Sequence, residues 1–151
     1  AVRMRLLFDV CHPVQVHLFR PVIQECVARG HEIRVIARDK DVTLQLLDSF
    51  GIPYEVLART GRGRAGFLRE LIQREARMVA RARRFRPHLI VGTSVHAARV
   101  GRLVGALSVV VNDDDAAAVP LFCWLAYPMA SFIVTPRCLA RTKKLCRTFG
   151  S

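Results

Sequence analysis

Short apolar runs that alternate with helix-like segments constrain this sequence more than any other feature. The strand-like runs occupy residues 5–10, 32–37, 53–57, 88–91, 108–111 and 132–134. Between and after them, apolar residues recur at helical spacing, at 14–29, 42–50, 67–85, 95–103, 117–126 and 139–146. The runs lack period-2 alternation, which is typical of strands in a parallel sheet that is covered on both faces. The pattern predicts an α/β, Rossmann-like three-layer sandwich with a parallel sheet of about six strands.

Length and composition agree with one domain of this kind. The chain has 151 residues, of which 52% are hydrophobic, enough material for a single core. We therefore expect residues 1–151 to form one Rossmann-like domain. The five cysteines contain no Cys-x-x-Cys pair, which argues against a disulfide framework or a zinc site and favours reduced thiols in the cytoplasm.

An uncharged stretch over residues 116–136 has the length of a membrane span. Pro120 and Pro128 interrupt it, and a proline inside a helix costs about 3 kcal/mol. We therefore expect a buried helix followed by a buried strand. Cytoplasmic location is the prediction, with peripheral contact at the inner membrane face left open.

The charge balance points to an acidic partner. Lysine and arginine number 24 against 12 acidic residues, a formal net charge of +12 carried mostly by arginine. The predicted helix over 67–85 is especially basic. It can present a basic face to anionic lipid or RNA, or dock an apolar stripe on the sheet and solvate its charges. No aromatic residues are interleaved with these arginines, so nucleic acid is the weaker expectation.

Ligands of doubly wound sheets bind outside the carboxyl ends of the strands. His12 follows the first strand there, where an imidazole can act as a base or bind a sugar hydroxyl, or simply bond to backbone in a turn. His17, five residues later on the first helix, is expected to be partly buried with its hydrogen bonds satisfied. No third ligand accompanies the two histidines, so no metal site is predicted.

A glycine-rich segment follows the third strand. Residues 61–66 fit G-x-G-x-x-G, but this is not the first strand, and arginines rather than an acidic residue stand about 20 positions on. A nicotinamide cofactor is therefore not expected. Residues 59–66 are predicted to form a loop, either a flexible solvated one or an anion cradle in which Arg62 and Arg64 contact phosphate.

Polar residues also follow the fourth and fifth strands. Asn112, Asp113 and Asp114 come directly after an apolar run, where carboxylates can hold sugar hydroxyls, a metal or a proton. One of the neighbouring aspartates is expected to cap the next helix. Thr93 or Ser94 can cap the helix after the fourth strand or bind phosphate.

Several of these stretches together resemble a known family. They are FDVCHPVQVHLFRPVI, ARDKDVTLQLLDSFGIPYEVL, RPHLIVGTS, VNDDD and FIVTP. Over nearly the whole chain the sequence resembles the domain-of-unknown-function family 354, which is similar to the glycosyltransferase B fold and the UDP-N-acetylglucosamine 2-epimerase group. A more distant similarity links it to the lipid-linked peptidoglycan N-acetylglucosaminyltransferase, whose third-strand loop is also rich in Gly and Arg.

The resemblance implies an N-terminal, acceptor-side half of a two-domain protein. The C-terminal half, which would hold a UDP-sugar donor, is absent from the chain, so activity is expected only with that half or a partner domain. The acceptor would be a glycan or a lipid-linked sugar, and no other cofactor is implied. Whether the activity is glycosyl transfer or epimerisation stays open, and a non-catalytic basic module for anionic membrane or RNA is the alternative.

The resemblance also assigns residues. It carries over His12, Pro13 and His17, and further along Asp113 and Asp114. We predict catalytic roles for His12, Asp113 and Asp114, with substrate contacts from His17, Arg62, Arg64, Thr93, Ser94 and Asn112. Two positions depart from the family. Cys11 stands where Gly is usual, and Asp115, Ala116 and Ala117 replace Thr, Glu and His, which removes further catalytic groups.

Overall fold

A computed structural model describes residues 2–59, 63–112, 126 and 128–134 of the chain. These residues form the following elements in chain order: β1 (Arg5–Val10), α1 (Pro13–Ala28), β2 (Glu32–Asp39), α2 (Thr43–Ser49), β3 (Glu55–Arg59), α3 (Gly63–Phe85), β4 (Leu89–Gly92), α4 (Val95–Val104), β5 (Leu107–Val111) and β6 (Phe132–Val134). The helices predicted over 117–126 and 139–146 lie outside the described residues, apart from residue 126.

The strands form one six-stranded sheet in the order β3-β2-β1-β4-β5-β6, and every neighbouring pair is parallel. The predicted α/β class and the six-stranded parallel sheet are confirmed. The order reverses between β1 and β4, where Asp9 pairs with Gly92. Such a reversal opens a crevice at the carboxyl ends of the two strands.

Helices cover both faces of the sheet, and alternate residues of β1 supply the two cores. Leu6, Phe8 and Val10 face α1 and α2, whereas Leu7 faces α3 and α4. The second core continues through side chains from β2, β4, α3 and α4: Ile36, Ile90, Met78, Ala82 and Val100. A strand buried on both sides needs apolar residues at successive positions, which is why β1 reads as a continuous run.

The prediction of a loop over 59–66 is wrong at both of its boundaries. Arg59 is the last residue of β3, and α3 already begins at Gly63, so Gly66 lies inside a helix. Good helix formers follow Gly63 along the chain, and they outweigh the cost of one glycine, about 1 kcal/mol. Arg64 therefore belongs to the first turn of α3, while Arg62 lies outside the described residues.

None of the helices in the described part of the chain is long and apolar enough to cross a bilayer. Of the uncharged stretch over 116–136, the described residues are 126 and 128–134, and they include β6. The predicted strand at the end of that stretch is therefore present, but its predicted burial is wrong: β6 lies at the edge of the sheet, with Phe132 56% and Val134 48% exposed. The preceding helix lies outside the described residues except at its last position.

Candidate functional site

A cleft of about 970 Å³ opens at the carboxyl edge of the sheet, between α3 and α4. α3 runs antiparallel to the strands and is about 34 Å long, so its first turns rise above the sheet edge and form one wall. The residues that follow β1 and β4 lie at its base, including Cys11, Thr93 and Ser94. The cleft therefore occupies the reversal of strand order, where this type of sheet binds its ligands.

A buried ion pair lies directly beneath the cleft. Asp9 is 0% exposed in β1, and Arg74 of α3 is 4% exposed. Arg74 Nη2 donates to Asp9 Oδ1, and the Ser94 hydroxyl donates to Asp9 Oδ2 at 2.6 Å. Two charges can be buried together here because each neutralises the other and hydrogen bonds satisfy the carboxylate. The expectation that the arginines of this helix are solvated is therefore wrong for Arg74.

Cys11 extends this network toward the cleft. Arg74 Nη2 lies 2.8 Å from the Cys11 sulfur, and the thiol donates to Asp9 Oδ1 at 3.6 Å. Burial, reinforced by the charge of Asp9, raises the pKa of the Cys11 thiol to about 12, although Arg74 opposes the shift. Cys11 is consequently a neutral thiol at physiological pH and not a thiolate nucleophile.

Arg74 stays charged within the same network. Burial by itself lowers the pKa of this guanidinium, but the charge of Asp9 and the contact with Cys11 raise it above its ordinary value. The network therefore contains a permanent cation and a carboxylate that accepts its hydrogen bonds. It holds β1, α3 and the start of α4 in fixed relative positions.

Gln15 ties the turn after β1 to the turn after β4. Its Oε1 accepts a hydrogen bond from the Cys11 backbone N–H at 2.7 Å, and its Nε2 donates to Thr93 Oγ1. Thr93 can therefore donate its own hydroxyl hydrogen to a ligand. The hydrogen of Ser94 is already committed to Asp9, so Ser94 occupies the N-cap position of α4 without capping it through its side chain.

Further along the cleft, Glu75 bridges two basic side chains. Its carboxylate lies 3.0 Å from His96 Nδ1 and 3.1 Å from Arg99 Nη2. Arg38, near the end of β2, pairs with Glu70 of α3 at 2.6 Å. Within the ranges that the structure describes, no three His, Cys, Asp or Glu side chains are grouped to hold a metal ion. The cleft thus offers hydrogen-bonding groups of both charges to a polar ligand.

His12 is the N-cap residue of α1, exposed, with Nδ1 accepting from the Val14 N–H at 3.4 Å. This matches the backbone-bonded turn role that was one of the two predictions. With Nδ1 as the acceptor, a neutral ring carries its proton on Nε2 and can donate it to a ligand. To act as a base at Nε2, the ring would have to change tautomer and release Val14.

The structure does not bring the other predicted site residues together at one site. Thr93 and Ser94 line the cleft. His17 is exposed on α1, in the opposite helix layer, with its ring 5.6 Å from that of Phe50, so its predicted partial burial is wrong. Arg64 is exposed at the start of α3, and Asn112 is buried directly after β5. Arg62, Asp113 and Asp114 lie outside the described residues.

Sequence reasoning missed Asp9 and Arg74, the centre of the network. The position of each residue in the sequence nevertheless indicates burial. Asp9 is the one acidic residue inside an otherwise apolar strand run, and Arg74 shares the four-residue spacing of Glu70 and Met78, which both face the sheet. A charge at a buried position of each element suggests a pair between them.

No protein family model matches the chain, and no curated protein does. Solved structures do match. A UDP-N-acetylglucosamine 2-epimerase superposes with a TM-score of 0.75 at 12% identity, over 99% of this chain and 46% of that one. The UDP-GlcNAc 2-epimerase from Neisseria meningitidis bound to UDP-GlcNAc gives 0.75 at 14% identity, over 96% and 43%.

Glycosyltransferases match as well. SsfS6 of Streptomyces sp. SF2575 superposes with a TM-score of 0.59 at 20% identity, over 72% of this chain and 39% of that one. At these identities the likeness shows the fold, and the chain has a glycosyltransferase B-like, Rossmann-like fold. It spans less than half the length of each of these proteins. Membership of family 354 stays a prediction.

Proposed function

We propose that this chain is the N-terminal, acceptor-side half of a glycosyltransferase B-like enzyme that acts on a glycan or a lipid-linked sugar. The observation that carries the proposal is the cleft at the β1/β4 reversal, in a fold shared with sugar-nucleotide epimerases and glycosyltransferases. A C-terminal half or a partner domain would hold a UDP-sugar donor. The activity is glycosyl transfer or epimerisation of the sugar nucleotide.

The geometry of the cleft supports binding of a polyhydroxylated or phosphorylated ligand. Thr93 can donate a hydroxyl hydrogen, and Arg99 exposes half of its side chain next to His96. Arginine and hydroxyl donors are the groups that proteins use for phosphate and sugar oxygens. The buried pair of Asp9 and Arg74 fixes the turns that present them, so little ordering is left to the ligand.

In this proposal His12, exposed at the N-cap of α1, is the base or a hydroxyl ligand. Asp113 and Asp114 bind hydroxyls or assist the base, and Arg62 and Arg64 contact phosphate. His17 and Asn112 remain proposed as substrate contacts at the edges of the site. The proposed location is the cytoplasm, and peripheral contact at the inner membrane face stays open.

The alternative is a non-catalytic module whose basic helix α3 meets anionic membrane or RNA. Several arginines that such a basic surface would need already have partners within the fold. Arg74 is paired with Asp9, Arg81 pairs with Glu55 at 2.6 Å, and Arg77 donates to the Leu57 carbonyl at 2.8 Å. These contacts favour a structural role for much of α3 and support the enzyme proposal over the alternative.

The test is sugar-nucleotide turnover by the complete protein that joins this chain to a C-terminal half. His12→Ala should lower turnover by about 10²-fold or more, because positioned acid–base catalysis contributes about 10² to 10⁴. His88→Ala is the matched control, since His88 is an exposed histidine at the opposite edge of the sheet, where its Nδ1 accepts from the Arg5 N–H.

Turnover that survives His12→Ala unchanged would remove the role assigned to His12. Salt-sensitive association with anionic vesicles or RNA, together with no response to sugar nucleotides, would instead favour the non-catalytic alternative.

A further inference from the structure

An apolar wall forms one side of the cleft. On the first turns of α3, Phe67, Leu68 and Ile72 are 49%, 59% and 63% exposed. Leu68 and Ile72 line the cleft, and the apolar surface continues inward along the same helix through Leu71, Ala76 and Val79. Neighbouring exposed apolar side chains that lead into a cavity indicate a binding surface, unlike single ones scattered over a protein.

The opposite wall has a different chemistry. It is built by the start of α4 and the turn before it, with Thr93, His96 and Arg99. Arg99 pairs with Glu75 yet keeps 51% of its side chain exposed. α4 has no side-chain cap, so its positive end adds to the field of Arg99. One wall is therefore apolar, and the other is polar and cationic.

We propose that this cleft binds an amphiphile with a phosphate head and a single hydrocarbon chain. The chain lies along Leu68, Leu71 and Ile72, and the phosphate contacts Arg99 and the Thr93 hydroxyl. The volume of about 970 Å³ is within the range of cavities that hold small molecules, about 300 to 1,000 Å³. The inference rests on the proposed function in one respect: the amphiphile would be the lipid-phosphate portion of the acceptor.

The two walls favour this occupant over the alternatives. A free sugar or inorganic phosphate would leave the α3 wall in water, and a plain hydrocarbon would make no contact with the exposed half of the Arg99 side chain. The three arginines on the lining also outnumber its one glutamate, although Arg38 and Arg74 are already paired with carboxylates. Arg99 is paired too, with Glu75, but its side chain is 51% exposed, against 17% for Arg38 and 5% for Arg74. Arg99 is therefore the cation that the phosphate head contacts.

The experiment titrates this chain with decyl phosphate below its micelle concentration, and separately with decanol and with inorganic phosphate, followed by NMR chemical shifts. Saturable binding of decyl phosphate is expected, at least 10-fold tighter than binding of either fragment. No sugar nucleotide is present, so a failure here leaves the turnover test of the proposed function unaffected.

Matched variants locate the binding site. Leu68→Asp should weaken decyl phosphate at least 10-fold, whereas Leu103→Asp should not, because Leu103 is 58% exposed in the last turn of α4 and does not line the cleft. Arg99→Gln should weaken decyl phosphate but not decanol, and Arg102→Gln should change neither. Ile72→Asn repeats the apolar test if Leu68→Asp is poorly folded by circular dichroism.

Three results would overturn the inference. The first is equal affinity of Leu68→Asp and Leu103→Asp for decyl phosphate. The second is inorganic phosphate that binds as tightly as decyl phosphate. The third is binding to anionic phosphatidylglycerol vesicles without binding of the monomeric probe, which would place the interaction on an open surface instead of in the cleft.

Discussion

The two faces of the sheet bury the same strands with different chemistry. Toward α1 and α2, the core is an apolar cluster that includes Phe8, Phe19 and Leu47, and no buried charged residue among the described ones lies there. Toward α3 and α4, the amino-terminal half is equally apolar, but the carboxyl end contains Asp9, Arg74 and Glu70. The difference indicates that one face mainly stabilises the fold, while the other gives up apolar packing to build a polar site.

The largest effect is expected from breaking the buried pair. Arg74→Met leaves the Asp9 carboxylate buried without its guanidinium, which should destabilise the protein by about 3 to 5 kcal/mol. Asp9→Leu combined with Arg74→Met should recover most of this loss, because no charge is then left buried. Urea unfolding of the three proteins measures both values, and a loss below about 1 kcal/mol for Arg74→Met would contradict the contrast between the faces.

On the other face, Leu47→Ala should cost about 2 to 5 kcal/mol, since Leu47 is fully buried in α2 and its truncation leaves a cavity. The affinity of the cleft for decyl phosphate should stay unchanged while the protein remains folded. Unfolding curves and the titration are compared on one sample. Weaker binding of decyl phosphate by folded Leu47→Ala would show that the two faces of the sheet are not independent.

A smaller loss is expected at Gly92, where β4 meets the network. A Cβ there would lie 2.9 Å from Ala97 Cβ and 3.1 Å from Asp9 Cβ. Gly92→Ala should therefore destabilise by about 1 to 3 kcal/mol through overpacking. Gly51→Asn serves as the control in the same urea assay, because an added Cβ meets nothing within 4 Å there and Asn tolerates the left-handed backbone of that position. Equal stabilities of the two variants would be inconsistent with tight packing around Asp9.

The smallest effect is a pH dependence from Cys11. Folding raises the pKa of this thiol from 9.0 to about 12, so the unfolded chain loses its proton first as the pH rises. Stability should therefore fall above pH 9, by about 1 kcal/mol between pH 8 and pH 10. Cys11→Ser lacks the titrating thiol, while its lysines and tyrosines titrate as before. The difference between the pH dependences of the two proteins is therefore the contribution of Cys11. Parallel pH dependences of the two proteins would show that the thiol is not buried beside Asp9.

The fold was readable from the sequence because apolar periodicity is a local property. The prediction of β1 over 5–10 and of β6 over 132–134 is confirmed at both ends. The sequence predicts that β2 ends at residue 37, but β2 continues to Asp39, because Arg38 and Asp39 pair with Ala58 and Arg59 of β3. That pairing joins residues 20 positions apart, and a local pattern does not contain it.

The candidate site was only partly readable for the same reason. Thr93 and Ser94 were found because they follow a strand, and the edge of a parallel sheet is known from topology. Asp9 was not identified, since its role depends on Arg74, which lies 65 residues away. For His12 the sequence predicts two roles, and the structure shows the backbone-bonded one, with the Val14 N–H as its partner.

By itself, the sequence determined the order of strands and helices and the class of sheet, because the strands are continuous apolar runs and the segments between them carry apolar residues at helical spacing. The tertiary structure decided which charges are buried together and where a cleft opens. It brings α3 back over β1 so that two ions share one desolvated position, and the free energy of that pairing depends on distance in space, not on separation along the chain.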